Sequence, residues 1–396
     1  MSTAVSAEAP AEKPRTRFKA PELTPRQNLL IAVAFIGVAI LLPFLLDSGG
    51  NVMNNLVLAA AYVVMALGLN IIVGFAGLLD LGYVAFFAIG AFTMGYFGSG
   101  FWDNAGGGTG LHFLVAEPAS KLPGIHSNFI LVLVLAVVAT TIAGMIIGLP
   151  TLRLRGDYIA VVTLAFGEII GRIAINGDEI KLFGGTLTQG RQGITPVDKV
   201  DLPFFDRFTS LDLRPWYFLA LALVVLVLFV NFRLRDSRLG RAWVALREDE
   251  VAASSMGVPL VKTKLLAYGS GAAFGGMSGA FLASYVNTVN ADQFQFSFSI
   301  FILAMVILGG LGSIWGVVLG AIVLSAINNY LIPDVANNVP SKLGLDFDLT
   351  ELSYGIFGFL LVIMMVLRPE GLLPERRRKL ELEEGVGAED SIEAKL

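Results

Sequence analysis

The sequence predicts an all-α, polytopic integral membrane protein, and three observations carry that prediction. Of its 396 residues, 55% are hydrophobic and only 15% charged, with mean hydropathy +0.72, whereas soluble chains carry about 25% charged residues. Apolar stretches recur along the chain at the length that crosses a bilayer, about 20 residues. The 44 glycines suit helices packed closely in lipid, where small residues let backbones approach.

About ten transmembrane helices are predicted, at 28–46, 52–73, 75–98, 129–149, 157–175, 215–231, 264–287, 297–311, 313–332 and 351–367. Residues 1–27 form a polar tail with Pro10, Pro14, Pro21 and Pro25, read as a disordered cytoplasmic extension. A cleaved signal peptide is not expected, because the apolar stretch beginning at Leu29 is already as long as a span. The transmembrane domain is predicted over 28–374, with a charged segment at 232–263, and 375–396 form a charged cytoplasmic tail.

Basic loops remain in the cytoplasm, and the charges agree with an even number of crossings. Lys13, Arg15, Arg17, Lys19 and Arg26 hold the N-terminus inside. Arg153 and Arg155, the 232–263 segment and Arg376-Arg377-Arg378-Lys379 then follow on the same side. The predicted outside loops 99–128 and 333–350 hold only Lys121 and Lys342, while loop 176–214 fits least well, with five basic residues against six acidic ones. Both termini are therefore placed inside.

The second and third spans form one apolar region broken at Gly74 and Gly77, and the eighth and ninth divide only at Gly309-Gly310-Leu311-Gly312. Breaks in corresponding places of two halves either build a midplane transport site or simply permit tight packing. The spacing leaves both readings open, along with whether segments 75–98 and 297–311 span or re-enter. Along the seventh span Gly269, Gly271, Gly275, Gly276 and Gly279 read as a packing surface, with Gly275 and Gly279 in small-xxx-small register.

Between the sixth and seventh spans lies a segment that lipid cannot hold, with Arg233, Arg235, Arg238, Arg241 and Arg247 followed by Glu248-Asp249-Glu250. Leu239, Ala242, Trp243 and Leu246 share one helical face, while Arg238, Arg241 and Glu248 lie on another. Basic residues first and acids last oppose the helix dipole, which points to partners for those charges. A protein partner or anionic headgroups fit this pattern. Gly257 followed by Pro259 reads as the stop.

Charges at membrane depth are costly and mark function. Asp80, beside the first break, is a candidate for a permeation path, and Asn70 and Thr163 add polar lining or bridge helices. Glu168 and Arg172, spaced i, i+4, read first as a mutually neutralising pair. No phosphate-cradling loop occurs and no catalytic constellation lies at membrane depth, so no enzyme activity and no cofactor are expected. The sequence contains no cysteine, and His112 and His126 share a polar loop without acidic partners at ligand spacing, so no metal site is expected and loop solvation accounts for both. Membrane lipid is an expected partner; nucleic acid is not.

Several long motifs resemble one family. They are Gly68-Leu-Asn-Ile-Ile-Val-Gly-Phe-Ala-Gly-Leu-Leu-Asp-Leu-Gly-Tyr83, Leu152-Arg-Leu-Arg-Gly-Asp-Tyr158 with Thr163-Leu-Ala-Phe-Gly-Glu-Ile169, Leu239-Gly-Arg-Ala-Trp-Val-Ala-Leu-Arg-Glu-Asp-Glu250, Met305-Val-Ile-Leu-Gly-Gly-Leu-Gly-Ser-Ile-Trp315 and Arg368-Pro-Glu-Gly-Leu-Leu-Pro374. From about Val52 to Pro374 the chain resembles the LivM-type permease of bacterial branched-chain amino acid ABC importers. The resemblance implies a type II ABC importer fold in the bacterial plasma (inner) membrane. It also implies a second homologous permease, two cytoplasmic ATPase subunits that hydrolyse ATP, and an external substrate-binding protein.

The charged segment then resembles a coupling helix, with Arg238, Arg241, Trp243, Glu248, Asp249, Glu250, Ala252, Ala253 and Gly257 as its expected contacts. The family often shows Glu-Ala-Ala-x-x-x-Gly there; here Val251 precedes Ala252-Ala253, and Glu250 stands one residue earlier. Asn70, Asp80, Tyr83, Thr163 and Glu168 are the expected translocation-path residues. The stretch Gly184–Ile194 is longer than the family's and lacks its proline, which bears on substrate or docking preference. Urea or short amides are the alternative cargo, and an ion-coupled secondary transporter using Asp80 and Glu168 is the alternative mechanism.

Overall fold

The computed structural model describes residues 37–103, 107, 109–115, 121–151, 154, 157–182, 185–201, 208–336, 353–367 and 371–373. The expected tails 1–27 and 375–396, and Arg153 and Arg155, lie outside them. The chain divides into two units, 1–45 and 46–396. In the first, residues 37–45 are helical.

The second unit is built from helices, in keeping with the predicted class. α1 (Asn51–Asn70) ends in a π turn (Ile71–Phe75), and α2 (Val84–Phe97) begins after a non-helical stretch. α3 (Phe129–Thr151), α4 (Asp157–Asn176) and α5 (Arg214–Arg235) follow, then α6 (Arg238–Glu248) and α7 (Glu250–Ser255) in the charged segment. The long α8 (Leu260–Val286), α9 (Phe296–Gly309), α10 (Ile314–Ala326) with its π extension Ile327–Ala336, and α11 (Ser353–Leu367) complete the unit. Each of the ten predicted spans contains a helix among the described residues. Five, including Asn51–Phe75 and Ile314–Pro333, are long and apolar enough to cross a membrane.

The helix after the first break and the helix before the second are both short. α2 and α9 have 14 residues each, about 21 Å of helix against a hydrocarbon core of about 30 Å. In the predicted span 75–98, residues 76–83 before α2 are non-helical backbone, which is tolerated at membrane depth only where protein or water covers it.

α8 packs against α1, α2 and α3, and its glycines make that contact close. A Cβ on Gly276 would overlap Thr140 of α3, one on Gly279 would overlap the Phe87 carbonyl, and one on Gly90 would overlap the backbone of Gly276. The small-residue stripe read from the sequence is thus a packing surface, α2 and α8 touching backbone to backbone.

The loop side carries short strands. β1 (Gly98–Ser99) pairs antiparallel with β3 (Ile125–Ser127), which pairs parallel with β2 (Leu111–Phe113), in the order β1-β3-β2. β4 (Lys181–Leu182) and β5 (Gly185–Thr186) pair antiparallel. The sheet changes the reading of the histidines. His126 is buried, its Nδ1 lies 2.6 Å from Asp198 Oδ2, and its ring stacks on His112. The acidic partner comes from 72 residues away, beyond any local spacing, so His126 is a packed, hydrogen-bonded group rather than a solvated one.

Candidate coupling and translocation site

The charged segment is two helices, not one. Ser237 caps α6 by accepting the Gly240 N–H at 3.1 Å. Asp249 ends α6 and caps α7, its Oδ1 accepting the N–H groups of Val251 (2.7 Å) and Ala252 (3.0 Å). Splitting the helix at Asp249 relieves part of the conflict with the dipole, although Arg238 still opens α6 and Glu248 still closes it. Arg247 now sits in the last turn of α6 and Glu250 in the first turn of α7, each at the helix end that favours its charge. Gly257, with φ +85 and open space around it, terminates the segment as its left-handed stop.

The segment is fixed to the rest of the chain on one side. Trp243 is fully buried and donates Nε1–H to the Thr263 carbonyl at 2.9 Å. Glu250 accepts from Lys264 Nζ at 2.6 Å; the side chains are 25% and 2% exposed, and the salt bridge ties α7 to α8. Ala253 is buried as well. The other side is open: Arg238, Arg241, Glu248, Asp249, Ala252 and Gly257 are exposed. Beside them Val251 and Met256 are 58% and 87% exposed, an apolar tip on a charged segment.

Arg247 carries the segment's reach into the membrane-spanning part. Its Nη1 donates to the Gly74 carbonyl at 2.8 Å, across 173 residues of sequence. Gly74 lies in the π turn, where the helical bonding pattern shifts and Leu78 N–H reaches back to the Ile72 carbonyl. The Arg247 stem fills the space above Gly77, whose φ of +69 together with that contact leaves no room for a side chain. Sequence reading listed Arg247 among the segment's charges but assigned it no target.

The two breaks meet. Asn70, at the end of α1, accepts the Gly312 N–H at 2.9 Å through Oδ1. Gly310 and Gly312, with φ +114 and +86, form the second break. A Cβ at Gly74 would overlap Asn70 Oδ1. A second tie runs from Ser299 of α9, whose Oγ accepts the Val84 N–H at 3.0 Å and so caps α2. Polar backbone exposed by each break is thereby satisfied by the other half, as a buried site requires.

Four of the five predicted path residues are buried and build this junction. Asp80 Oδ1 accepts the Gly82 N–H at 2.8 Å. Thr163 Oγ1 accepts the Leu81 N–H at 3.0 Å and donates to the Ala160 carbonyl at 3.1 Å. The Tyr83 hydroxyl donates to the Gly271 carbonyl at 2.9 Å. Asn70 Nδ2 and Asp80 Oδ2 have no partner among the described residues. Glu168 is the exception: it is exposed on α4, as is Arg172. Among the described residues no ion pair joins these two, so mutual neutralisation does not hold.

A family described as the branched-chain amino acid transport system / permease component matches residues 51–365. The chain belongs to that family. It is 37% identical to the high-affinity branched-chain amino acid transport system permease protein LivM of Escherichia coli (strain K12), over 91% of this chain and 78% of the relative. The LivM of Salmonella typhimurium (strain LT2) is 36% identical over the same shares. A probable LivM of Methanocaldococcus jannaschii is 28% identical over 80% of this chain and 91% of the relative. Permeases named LivH are more distant, the Escherichia coli (strain K12) protein being 25% identical over 43% of this chain. No solved structure gives a significant match. The permease is therefore a multi-pass membrane protein and not itself an enzyme, and its match spans both breaks and the charged segment.

Proposed function

We propose that this permease is one half of the membrane channel of an ATP-driven importer that carries branched-chain amino acids into the cytoplasm of a bacterium through its inner membrane. It works beside a related permease, LivH-like in character, with an external binding protein delivering cargo and two ATPase subunits beneath. Both termini and the α6–α7 segment are cytoplasmic, as the basic residues indicate.

The observation that carries the reading is the Arg247–Gly74 hydrogen bond. It gives a force applied to α6 a direct route to the first break, and Asn70 extends that route to the second. The exposed tip formed by Val251, Ala252 and Met256 is where an ATPase docks, with Arg238, Arg241, Glu248 and Asp249 around it. Glu250 and Trp243 hold the segment from behind. Asn70, Asp80, Tyr83 and Thr163 shape the wall of the path, and Glu168 faces it.

The expectation is that Met256→Glu, at a position that is 87% exposed, removes the ATPases from the purified permease pair and leaves its melting temperature unchanged. Full ATPase retention with that substitution refutes the docking assignment.

A further inference from the structure

At the end of α4 remote from the α6–α7 segment, a recess of about 400 Å³ opens between α4, the 190–192 turn and the 291–297 stretch that leads into α9. Four charged side chains line it: Glu168 and Arg172 from α4, Arg191 from the turn, and Asp292. All four are exposed in the chain, and among the described residues none has an ion-pair partner. Two cations and two anions around one space, none paired with another, form a site complementary to a ligand that carries both charges. Its volume lies within the range of small-molecule pockets, about 300–1,000 Å³.

Two further features give the recess a polarity. α9 is a 14-residue helix whose first residues, Phe296 and Ser297, line the recess, so its N-terminal, positive dipole end lies at the space. A discontinuous helix with its N-terminus aimed at a carboxylate is a device transporters use. Ile175 and Phe296 add apolar lining. Charged side chains on a membrane helix without partners in their own chain are costly against lipid, which favours placing them at an aqueous or protein-lined path.

We propose that this recess receives an α-amino acid as a zwitterion before it enters the path: the carboxylate at Arg172, Arg191 and the α9 N-terminus, the ammonium at Glu168 and Asp292, and the apolar side chain on Ile175 and Phe296. The proposal rests on the reading of the chain as an amino acid permease. It adds a check by the permease itself on the backbone charges common to all amino acids, beyond any choice the binding protein makes. A neutral amide or urea cannot satisfy these four charges.

The sequence has no cysteine, so single reporters can be introduced cleanly. The full importer complex bearing Ser297→Cys, a position on the recess rim, is labelled with a maleimide, and Ile175→Cys supplies a second reporter. L-leucine is expected to slow labelling of this chain. 4-Methylpentanoate, which lacks the ammonium, and isoamylamine, which lacks the carboxylate, are expected not to. Adding Arg172→Gln or Glu168→Gln raises the leucine concentration needed by about tenfold, the loss expected for one charged hydrogen bond. Equal protection by either single-charge analogue, no protection by leucine, no effect of neutralisation, or complete shielding of both cysteines by the partner permease overturns the proposal. Wild-type leucine uptake in the same vesicles is read separately. Its absence refutes the importer reading, whereas uptake without protection refutes the recess alone.

Discussion

Replacing Arg247 with Met preserves most of the stem that packs over Gly77 and removes the guanidinium that holds the Gly74 carbonyl. A hydrogen bond from a charged donor contributes about 1.5–3 kcal/mol, and Gly74 is buried, so its carbonyl loses that partner without gaining water. A penalty of about 2 kcal/mol falls on the coupling between α6 and the first break, an equilibrium shift of about 30-fold. The complex still assembles, because the docking tip at Val251 and Met256 is untouched. In proteoliposomes, ATP hydrolysis should continue while leucine moved per ATP falls by about tenfold or more, and Arg247→Lys should recover part of the loss by restoring a charged donor. A wild-type transport-to-hydrolysis ratio in Arg247→Met, with normal thermal stability, refutes the transmission route.

Other outcomes follow from the same contacts. Glu250→Lys places a second cation beside buried Lys264 and should cost about 3 kcal/mol of stability, seen as a lower melting temperature; Lys264→Met should recover it, while Glu248→Lys at the exposed face leaves melting unchanged. Gly90→Ala forces a methyl into the Gly276 backbone and should destabilise by about 2 kcal/mol, as overpacking does, also read by thermal melting. Asp80→Asn keeps the oxygen that accepts the Gly82 N–H and should retain uptake within about threefold, whereas Asp80→Ala loses that bond, about 1 kcal/mol, and with it the loop that starts α2. Uptake lost equally in both Asp80 variants makes its charge, rather than its hydrogen bond, the working feature.

The spans were legible because lipid demands long apolar runs, and the breaks because glycines such as Gly77 and Gly310 adopt positive φ without steric cost. The packing role of Gly276 and Gly279 was legible from their small size and spacing along one helix. What escaped was set by tertiary contact. Arg247 reads as one more basic residue until the fold brings Gly74 to it across 173 positions, and Asn70 meets Gly312 across 242. The division at Asp249 was hidden because helical periodicity continues through it; only its capping bonds mark the joint. Glu168 and Arg172 have helix-pair spacing, yet spacing only permits a pair. His126 looked isolated because its partner Asp198 lies on a distant loop.

The account as a whole stands on energy entering through the α6–α7 segment from another chain. Leucine accumulation is therefore measured in vesicles containing this permease with its partner permease, the binding protein on the outer side, and ATPases present or omitted. Accumulation that requires both the ATPases and ATP is the predicted result. Accumulation by the permease alone on a proton or sodium gradient contradicts it and makes the chain a secondary transporter.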